Sequence, residues 1–242
     1  MIDLRGVRHR YGKELALRVD RLTINTTTVL VGHNGAGKST LLLLVAGLLV
    51  PTEGTVTVDG KAVGSSQARR AVSFVPDIPA LFDDLTLADQ MLYVARLHDG
   101  NRAEPAPAAV ELVDLLDAEG LMGRLPGAMS KGQRQKASLL VATSRPCSVL
   151  LTDEPTTGLD AESRDALLLG FQHLSTQGMV IVSSTHDEDL IAAAGSQIHL
   201  ENGQIASDED ASSADGTTTT SSIPSTASGG TGYTSRWRRP SA

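Results

Sequence analysis

Residues 28–44 read TVLVGHNGAGKSTLLLL, an apolar stretch, a glycine-rich turn and a second apolar stretch. The turn begins at Gly32 and, after four intervening residues, closes on Gly37, Lys38 and Ser39. This spacing predicts a P-loop, in which a strand turns tightly into a helix and backbone N–H groups converge on nucleotide phosphates. Glycine suits the turn because a Cβ atom would block the close approach of a phosphate.

The polar groups of the predicted P-loop have distinct expected roles. Lys38 is expected to neutralise the β- and γ-phosphates, and the Ser39 hydroxyl is expected to ligate Mg²⁺. The following helix, predicted from Lys38 to about Leu49, would point its positive end at the anion. The residues predicted to contact the nucleotide are Gly32, His33, Asn34, Gly35, Ala36, Gly37, Lys38, Ser39 and Thr40.

A further apolar run, from Ser148 to Thr152, ends in two adjacent carboxylates, Asp153 and Glu154. Open α/β sheets bind ligands at the carboxyl ends of their strands, so both side chains are expected beside the nucleotide. Asp153 is predicted to hold Mg²⁺, and Glu154 to polarise the water that attacks the γ-phosphate. A solvated strand end is the simpler interpretation of such a pair, but a P-loop in the same chain favours this Walker B assignment.

The stretch from Met129 to Gln133 reads MSKGQ and precedes a helical pattern that runs to about Thr143. Ser130 and Gln133 have the spacing of a capping box, in which each side chain satisfies a backbone N–H at the helix start. Two interpretations stay open. The stretch is either an ordinary helix start or a second phosphate site at a positively polarised helix end, with Gly132 supplying flexibility.

The remaining pattern indicates the α/β class. The continuous apolar runs at 148–152 and 179–183 bracket a helical pattern near 162–174, as in a buried parallel sheet. The dipeptides Asp59-Gly60 and Asn202-Gly203 each predict a hairpin, because both central residues of a type I′ turn need positive φ. We therefore predict a P-loop NTPase core with a mainly parallel sheet, an antiparallel β-subdomain and an inserted α-helical subdomain.

Domain organisation follows from shifts in composition. Residues 85–125 show helical apolar spacing, interrupted by the proline-rich stretch 104–107. From residue 207 onward the chain consists mostly of Ser, Thr, Gly, Ala and acidic residues, which cannot bury enough apolar surface to fold. We predict one domain over residues 1–206, with a helical insertion at about 85–140, and a disordered tail over 207–242.

Composition excludes several classes of protein. The 242 residues include 21 basic and 28 acidic ones, and the formal charge of −7 argues against nucleic acid as a partner. The single cysteine, Cys147, excludes an internal disulfide and a thiolate zinc cluster and fits a reducing compartment. The longest apolar run, residues 41–50, has about half the length that spans a bilayer. Any membrane-spanning part is expected on another chain.

Taken together, the motifs of residues 1–206 resemble the ATP-binding cassette (ABC) family. Along the chain the motifs occur in the order typical of that family: P-loop, Q-loop, signature, Walker B, D-loop and switch histidine. The resemblance implies that the nucleotide is ATP, that Tyr11 stacks on adenine and that Asp160 belongs to the D-loop. It implies that Glu154, His186 and Lys38 are catalytic, with His186 sensing the γ-phosphate and holding the attacking water and Glu154 in register. It also implies that the signature reaches the ATP of a second, head-to-tail subunit; its residues are Ser130, Lys131, Gly132 and Gln133. An ordinary packed tyrosine is the alternative at Tyr11.

Two residues and one segment depart from the family pattern. Asp77 stands where the family has the Q-loop glutamine, and a carboxylate can ligate Mg²⁺ but cannot donate a hydrogen bond. Lys131 replaces a signature glycine and would add a cation beside the phosphate site of the opposite subunit. The segment between Tyr11 and Gly32 is a few residues short. In having a lysine in the signature and an acidic residue near the Q-loop, the chain resembles some exporter ATPases.

The function implied by the resemblance is ATP hydrolysis coupled to transport. The expected partners are a membrane-spanning permease and a second nucleotide-binding subunit, either another copy or a paralogue, at the cytoplasmic face of the membrane. The expected cofactors are ATP and Mg²⁺. Two alternatives stay open: a soluble ABC ATPase that remodels a cytosolic assembly, and an ATP-binding module with low turnover. Retention of Glu154 and His186 argues against the second alternative.

Overall fold

One ten-stranded sheet runs through the part of the chain that the computed structural model describes, residues 1–99 and 104–206. The tail predicted over 207–242 lies outside these described residues. The strands are β1 (Ile2–Tyr11), β2 (Glu14–Ile24), β3 (Thr28–Val31), β4 (Glu53–Val58), β5 (Lys61–Ala62), β6 (Val72–Val75), β7 (Val149–Asp153), β8 (Val180–Ser184), β9 (Ser196–Glu201) and β10 (Gln204–Ile205).

The described residues also form seven α-helices and two short 3₁₀ helices, the latter at Glu119–Leu121 and Pro126–Ala128. The helix after the P-loop ends at Val45 instead of about Leu49, because Gly47 adopts a positive φ of 71° just after the helix. The helices are α1 (Lys38–Val45), α2 (Ser66–Ala71), α3 (Leu87–Asp99), α4 (Pro107–Leu115), α5 (Lys131–Thr143), α6 (Ala161–Thr176) and α7 (Glu188–Ala193).

The sheet has a parallel half and an antiparallel half. Its strand order is β5-β4-β1-β2-β10-β9-β3-β8-β7-β6. Strands β9, β3, β8, β7 and β6 pair in parallel, whereas β5, β4, β1 and β2 pair antiparallel. The predicted mixed α/β class, with an antiparallel addition to a mainly parallel core, is confirmed.

Both predicted hairpins are present, and their turns have the backbone that the sequence requires. Asp59 and Gly60 have φ values of 49° and 72°, and Asn202 and Gly203 have φ values of 47° and 76°. The Asp59 carboxylate accepts hydrogen bonds from the amino terminus at 2.6 Å and from Ser148 Oγ at 2.7 Å. These two donors lower the pKa of Asp59 below its usual range. The first hairpin is therefore joined to the residue that precedes β7.

Between β6 and β7 the chain builds a helical layer from α3, α4 and α5. Helix α4 begins at Pro107, which occupies the first helical position, where a missing N–H costs nothing. The start of α5 carries the predicted capping box: Ser130 accepts from the Gln133 N–H, and the Gln133 side chain accepts from the Ser130 N–H. None of the helices described over 1–99 and 104–206 is long and apolar enough to cross a membrane.

Candidate functional site

Three predicted motifs meet at one edge of the sheet because their strands are neighbours. Strands β3, β8 and β7 lie side by side and run in the same direction. The P-loop follows β3, Asp153 ends β7 with Glu154 directly after it, and His186 follows β8. The carboxyl ends of parallel strands are where α/β sheets bind ligands, and this geometry brings groups far apart in sequence to a single site.

The P-loop glycines serve the packing of the loop as well as its conformation. Gly35 and Gly37 have positive φ values of 84° and 101°, which side-chain-bearing residues rarely adopt. A Cβ on Gly32 would lie 2.2 Å from the Leu200 carbonyl oxygen, and one on Gly37 would lie 3.0 Å from the Ala16 carbonyl oxygen. Gly32 and Gly37 therefore allow the loop to pack against the sheet, and Gly35 supplies the backbone conformation of the turn.

Lys38, the first residue of α1, is buried where the P-loop ends. Its ammonium donates to the Gly32 carbonyl at 2.6 Å and to the His33 carbonyl at 3.3 Å. The same nitrogen lies 3.3 Å from His186 Nε2. The ammonium is thus held at the mouth of the P-loop, within reach of the histidine that follows β8.

Glu154 and His186 face each other across neighbouring strand ends. Glu154 Oε1 lies 3.4 Å from His186 Nε2, and Thr157 Oγ1 donates to Glu154 Oε2 at 3.2 Å. Glu154 has a φ of 45°, a left-handed backbone that costs a glutamate about 1 kcal/mol or more. Such strain is typical of residues held in place for chemistry. The carboxylate is fixed between an imidazole and a hydroxyl.

Ser184, the last residue of β8, bonds to the side chain of Asp153 and to the backbone of Glu154. Its hydroxyl donates to Asp153 Oδ1 at 2.5 Å and accepts from the Glu154 N–H at 3.0 Å. The side chain is fully buried. The sequence interpretation did not assign Ser184 a role, although paired serines at the end of an otherwise apolar buried strand were an available signal. Ser184 sets the positions of the proposed metal carboxylate and of the proposed base.

Replacing Ser184 by alanine is expected to lower kcat for ATP hydrolysis by about tenfold, because outer-shell partners of this kind contribute tenfold or more to metal sites. The KM for ATP is expected to change little. Steady-state ATPase assays over a Mg²⁺ titration would measure both constants. Ser183→Ala, which removes the neighbouring buried hydroxyl bonded to Thr152, is the matched control. An equal loss in both variants would contradict the role of Ser184.

An ion pair anchors the loop that carries His186. Arg164 of α6 binds the Asp187 carboxylate through two nitrogens, at 2.5 Å and 3.0 Å, and also pairs with Asp189. Asp187 accepts the backbone N–H groups of Asp189 and Leu190 and so caps α7. The Arg164 guanidinium lowers the pKa of Asp187 to about 2. Asp187 is therefore ionised at neutral pH, and its fixed carboxylate holds the residue adjacent to His186.

A cleft of about 530 Å³ opens beside the P-loop. Tyr11 lines one wall, is 51% exposed, and packs edge-on against His9 with ring centroids 4.8 Å apart. Asp77 is exposed in the loop after β6 and is not among the described residues that line this cleft. The lining residues are Tyr11, Glu14, Leu15, Ala16, Asn34, Gly35, Ala36, Gly37, Lys38, Ser39, Thr40, Asp153, Glu154, Asn202 and Gly203.

Five of these lining residues were not predicted: Glu14, Leu15, Ala16, Asn202 and Gly203. The Gly203 N–H donates to the Ala36 carbonyl at 3.1 Å, so the second hairpin is bonded directly to the P-loop. The sequence marked Asn202 and Gly203 only as a turn. Their presence in the cleft depends on β10 pairing with β2, a contact between distant parts of the chain.

The signature residues and Asp160 lie together at the starts of two helices. Asp160 caps α6 by accepting from the Ser163 N–H at 2.8 Å. A Cβ on Gly132 would lie 2.2 Å from Ser163 Oγ, so glycine is required where α5 approaches α6. Lys131 Nζ donates to the Thr157 carbonyl at 2.6 Å. These contacts are all within one chain.

Known proteins resemble this chain in sequence. Residues 20–157 match the family model described as ABC transporter. The sulfate/thiosulfate import ATP-binding protein CysA of Caulobacter vibrioides is 37% identical over 213 residues, which are 84% of this chain and 63% of that protein. The ABC transporter ATP-binding protein NatA of Bacillus subtilis is 34% identical over 197 residues, which are 78% of this chain and 80% of NatA.

Solved structures resemble the described fold. The solved structure of an ATP binding subunit of an ABC transporter superposes with a TM-score of 0.77 and 26% identity, covering 85% of this chain and 88% of that one. The dimeric MJ0796, a bacterial ABC transporter cassette, superposes with a TM-score of 0.74 and 25% identity. The superposition covers 85% of this chain and 96% of that one. This chain spans 55–63% of the length of the CysA proteins of Caulobacter and Brucella. The family match and these identities lead to one conclusion: the chain belongs to the ABC transporter family.

Proposed function

We propose that this chain binds and hydrolyses ATP and thereby drives a separate membrane-spanning permease. The observation that carries the proposal is the convergence of Lys38, Glu154 and His186 within 3.4 Å contacts at the carboxyl edge of the sheet. These groups supply a phosphate-binding cation, a base and an imidazole that contacts both. The names of CysA and NatA, an import ATP-binding protein and a transporter ATP-binding protein, support the assignment to transport.

In the proposed ATP complex, the triphosphate occupies the cradle formed by residues 32–40. Lys38 exchanges its bonds to the Gly32 and His33 carbonyls for the β- and γ-phosphate oxygens. The amino-terminal end of α1 points its unsatisfied N–H groups at the same anion. Tyr11, half exposed at the wall of the cleft, offers its ring face to adenine.

The chemistry of the cleft fits Mg²⁺. Ser39 and Asp153 both line it and present oxygen atoms, which Mg²⁺ prefers to other ligands. Asp153 Oδ1 is engaged by the Ser184 hydroxyl, which orients the carboxylate. Bound Mg²⁺ would neutralise charge on the β- and γ-phosphates. Ser39 and Asp153 are the residues proposed to hold it.

Glu154 is the proposed general base. Its carboxylate is held at one oxygen by Thr157 and faces His186 with the other. His186 Nε2 lies between the Lys38 ammonium at 3.3 Å and Glu154 Oε1 at 3.4 Å. When Lys38 moves to the phosphates, His186 Nε2 is released to contact the γ-phosphate and the attacking water. His186 then orients the water that Glu154 deprotonates.

A second nucleotide-binding subunit is proposed to complete each site. Its signature residues Ser130, Lys131, Gly132 and Gln133 would reach the γ-phosphate from the opposite side, and Asp160 would lie in the D-loop at the interface. The partner is another copy or a paralogue. ATP would close the pair and hydrolysis would open it, since only the γ-phosphate connects both subunits. Asp77, at the Q-loop position, is proposed to act between this site and the permease.

The surface proposed to meet the permease is an apolar patch after β6, defined by Ile78, Phe82, Tyr93 and Leu97. Their exposed fractions are 81%, 51%, 44% and 68%. Phe82 and Tyr93 pack edge-to-face with centroids 5.6 Å apart. Buried Gln90 accepts from the Phe82 N–H at 2.9 Å and donates to the Phe82 and Leu85 carbonyls. These bonds fix the backbone of the loop that carries Phe82. A permease on this patch would place the chain at the cytoplasmic face of the membrane, as a peripheral subunit.

A pull-down tests the transport proposal. The tagged Glu154→Gln chain is purified from membranes in mild detergent with ATP, and co-purified proteins are identified by mass spectrometry. A polytopic membrane protein in stoichiometric amount is expected, and its recovery should fall when Phe82 is replaced by aspartate. Leu169→Asp, at a 50% exposed leucine on α6, is the matched control. Recovery of soluble partners alone would favour a remodelling ATPase instead.

A further inference from the structure

Lys131 occupies an unfavourable electrostatic position unless a partner compensates it. It is the first residue of α5, where the helix presents its positive end, and a cation there is disfavoured. The first turn of α5 contains no acidic residue. The structure supplies the compensation from elsewhere in the same chain: Lys131 Nζ donates to the Thr157 carbonyl at 2.6 Å.

The loop that receives Lys131 is shaped for this contact. Gly158 has a positive φ of 67°, and a Cβ placed on it would lie 2.8 Å from Lys131 Nζ. A side chain at position 158 would therefore be strained by its backbone, and the Lys131 ammonium would have to shift away from it. Glycine removes both obstacles. Gly158 therefore permits the ammonium to lie close to the loop while it bonds to the Thr157 carbonyl.

Thr157 connects the contact to the proposed catalytic base. Its hydroxyl donates to Glu154 Oε2 at 3.2 Å, and its N–H donates to the Glu154 carbonyl at 3.3 Å. The opposite carboxylate oxygen of Glu154 faces His186 at 3.4 Å. One chain of contacts therefore runs from Lys131 at the start of α5 through Thr157 to Oε2 of the Glu154 carboxylate.

We propose that Lys131 is a positioning residue for Glu154 of its own chain, acting through Thr157. The inference rests on the proposed function of Glu154 as the base. It differs from the proposed role of the signature in trans, in which Lys131 lies beside the γ-phosphate of the ATP that is bound to the other subunit. By fixing the Thr157 carbonyl, the ammonium holds the loop so that the Thr157 hydroxyl keeps Glu154 Oε2 in place. The other oxygen, Oε1, is left for the water and His186.

Heterodimers separate the two roles. One copy carries Glu154→Gln and the other keeps Glu154, so that only one composite site turns over; two different tags isolate the mixed pair. In that active site, the base comes from the Glu154 copy and the signature comes from the Glu154→Gln copy. Lys131→Met is then placed in one copy or the other. Only placement in the Glu154 copy tests the role in cis.

With Lys131→Met in the Glu154 copy, kcat is expected to fall about fivefold to twentyfold, with the KM for ATP nearly unchanged, because the P-loop that binds ATP is intact. Lys131→Arg, which keeps a donor, should restore most of the rate. Thr157→Val in the same copy should give a similar loss, and adding Lys131→Met to it should cost little more, since both remove one connection. Lys61→Met, at an exposed lysine of β5, is the control. An unchanged kcat overturns the inference.

A second measurement needs no turnover. In the nucleotide-free full-length chain, amide hydrogen exchange at Thr157 and Leu159 reports the order of the loop, since both N–H groups bond within it. Lys131→Met is expected to accelerate their exchange about fivefold or more relative to Lys61→Met. Equal exchange would overturn the inference whether or not the chain hydrolyses ATP. An inactive reference heterodimer would instead refute the proposed ATPase function.

Discussion

Replacing Glu154 by glutamine is expected to lower kcat for ATP hydrolysis by about a hundredfold or more, the usual contribution of a general base. Glutamine keeps the size of the side chain but cannot take a proton from water. The affinity for ATP should stay within about twofold, because the P-loop cradle and Lys38 do not involve this carboxylate. A complex that binds but does not hydrolyse ATP should accumulate as a dimer, visible by size-exclusion chromatography with light scattering.

The matched control is Glu162→Gln, at an exposed glutamate in the first turn of α6. It removes the same charge beside the same loop but does not line the nucleotide cleft. We expect its turnover to match that of the unmodified chain. If Glu154→Gln also turned over at the original rate, Glu154 would not be the base.

Replacing Lys38 by methionine is expected to weaken ATP binding by about a hundredfold. Bonds from an ammonium to phosphate oxygens are charge-assisted, and about 3 kcal/mol for two such bonds corresponds to this factor. Methionine fills much of the same buried volume, so the P-loop should keep its fold. Isothermal titration calorimetry with ATP measures the dissociation constant, and circular dichroism verifies the fold.

Lys61→Met again provides the control for lost charge, because Lys61 lies exposed on β5 and away from the cleft. It should bind ATP like the unmodified chain. An affinity of Lys38→Met within threefold of this control would show that the backbone cradle alone holds the phosphates. The role assigned to Lys38 would then be wrong.

Much of the fold was predictable because the signals that specify it are local. The two hairpins followed from dipeptides whose backbone tolerates positive φ, and both turns have that backbone. The capping box followed from two side chains three residues apart, each bonding the other's backbone. The parallel strands β7 and β8 followed from continuous apolar runs. The predicted end of α1 was wrong by about one turn. The positive φ of Gly47 ends the helix earlier than the apolar pattern indicates.

By itself, the sequence determined that this chain has a P-loop, two carboxylates at a strand end and a capped helix start, because each depends on residues within a few positions of one another. Only the tertiary structure decided that Ser184 links Asp153 to Glu154, that the Asn202-Gly203 hairpin lines the cleft beside the P-loop, and that Lys131 bonds to Thr157 of its own chain. Each of these contacts joins residues brought together by strand order and helix packing. No local spacing encodes such contacts, so they depend on the assembled sheet.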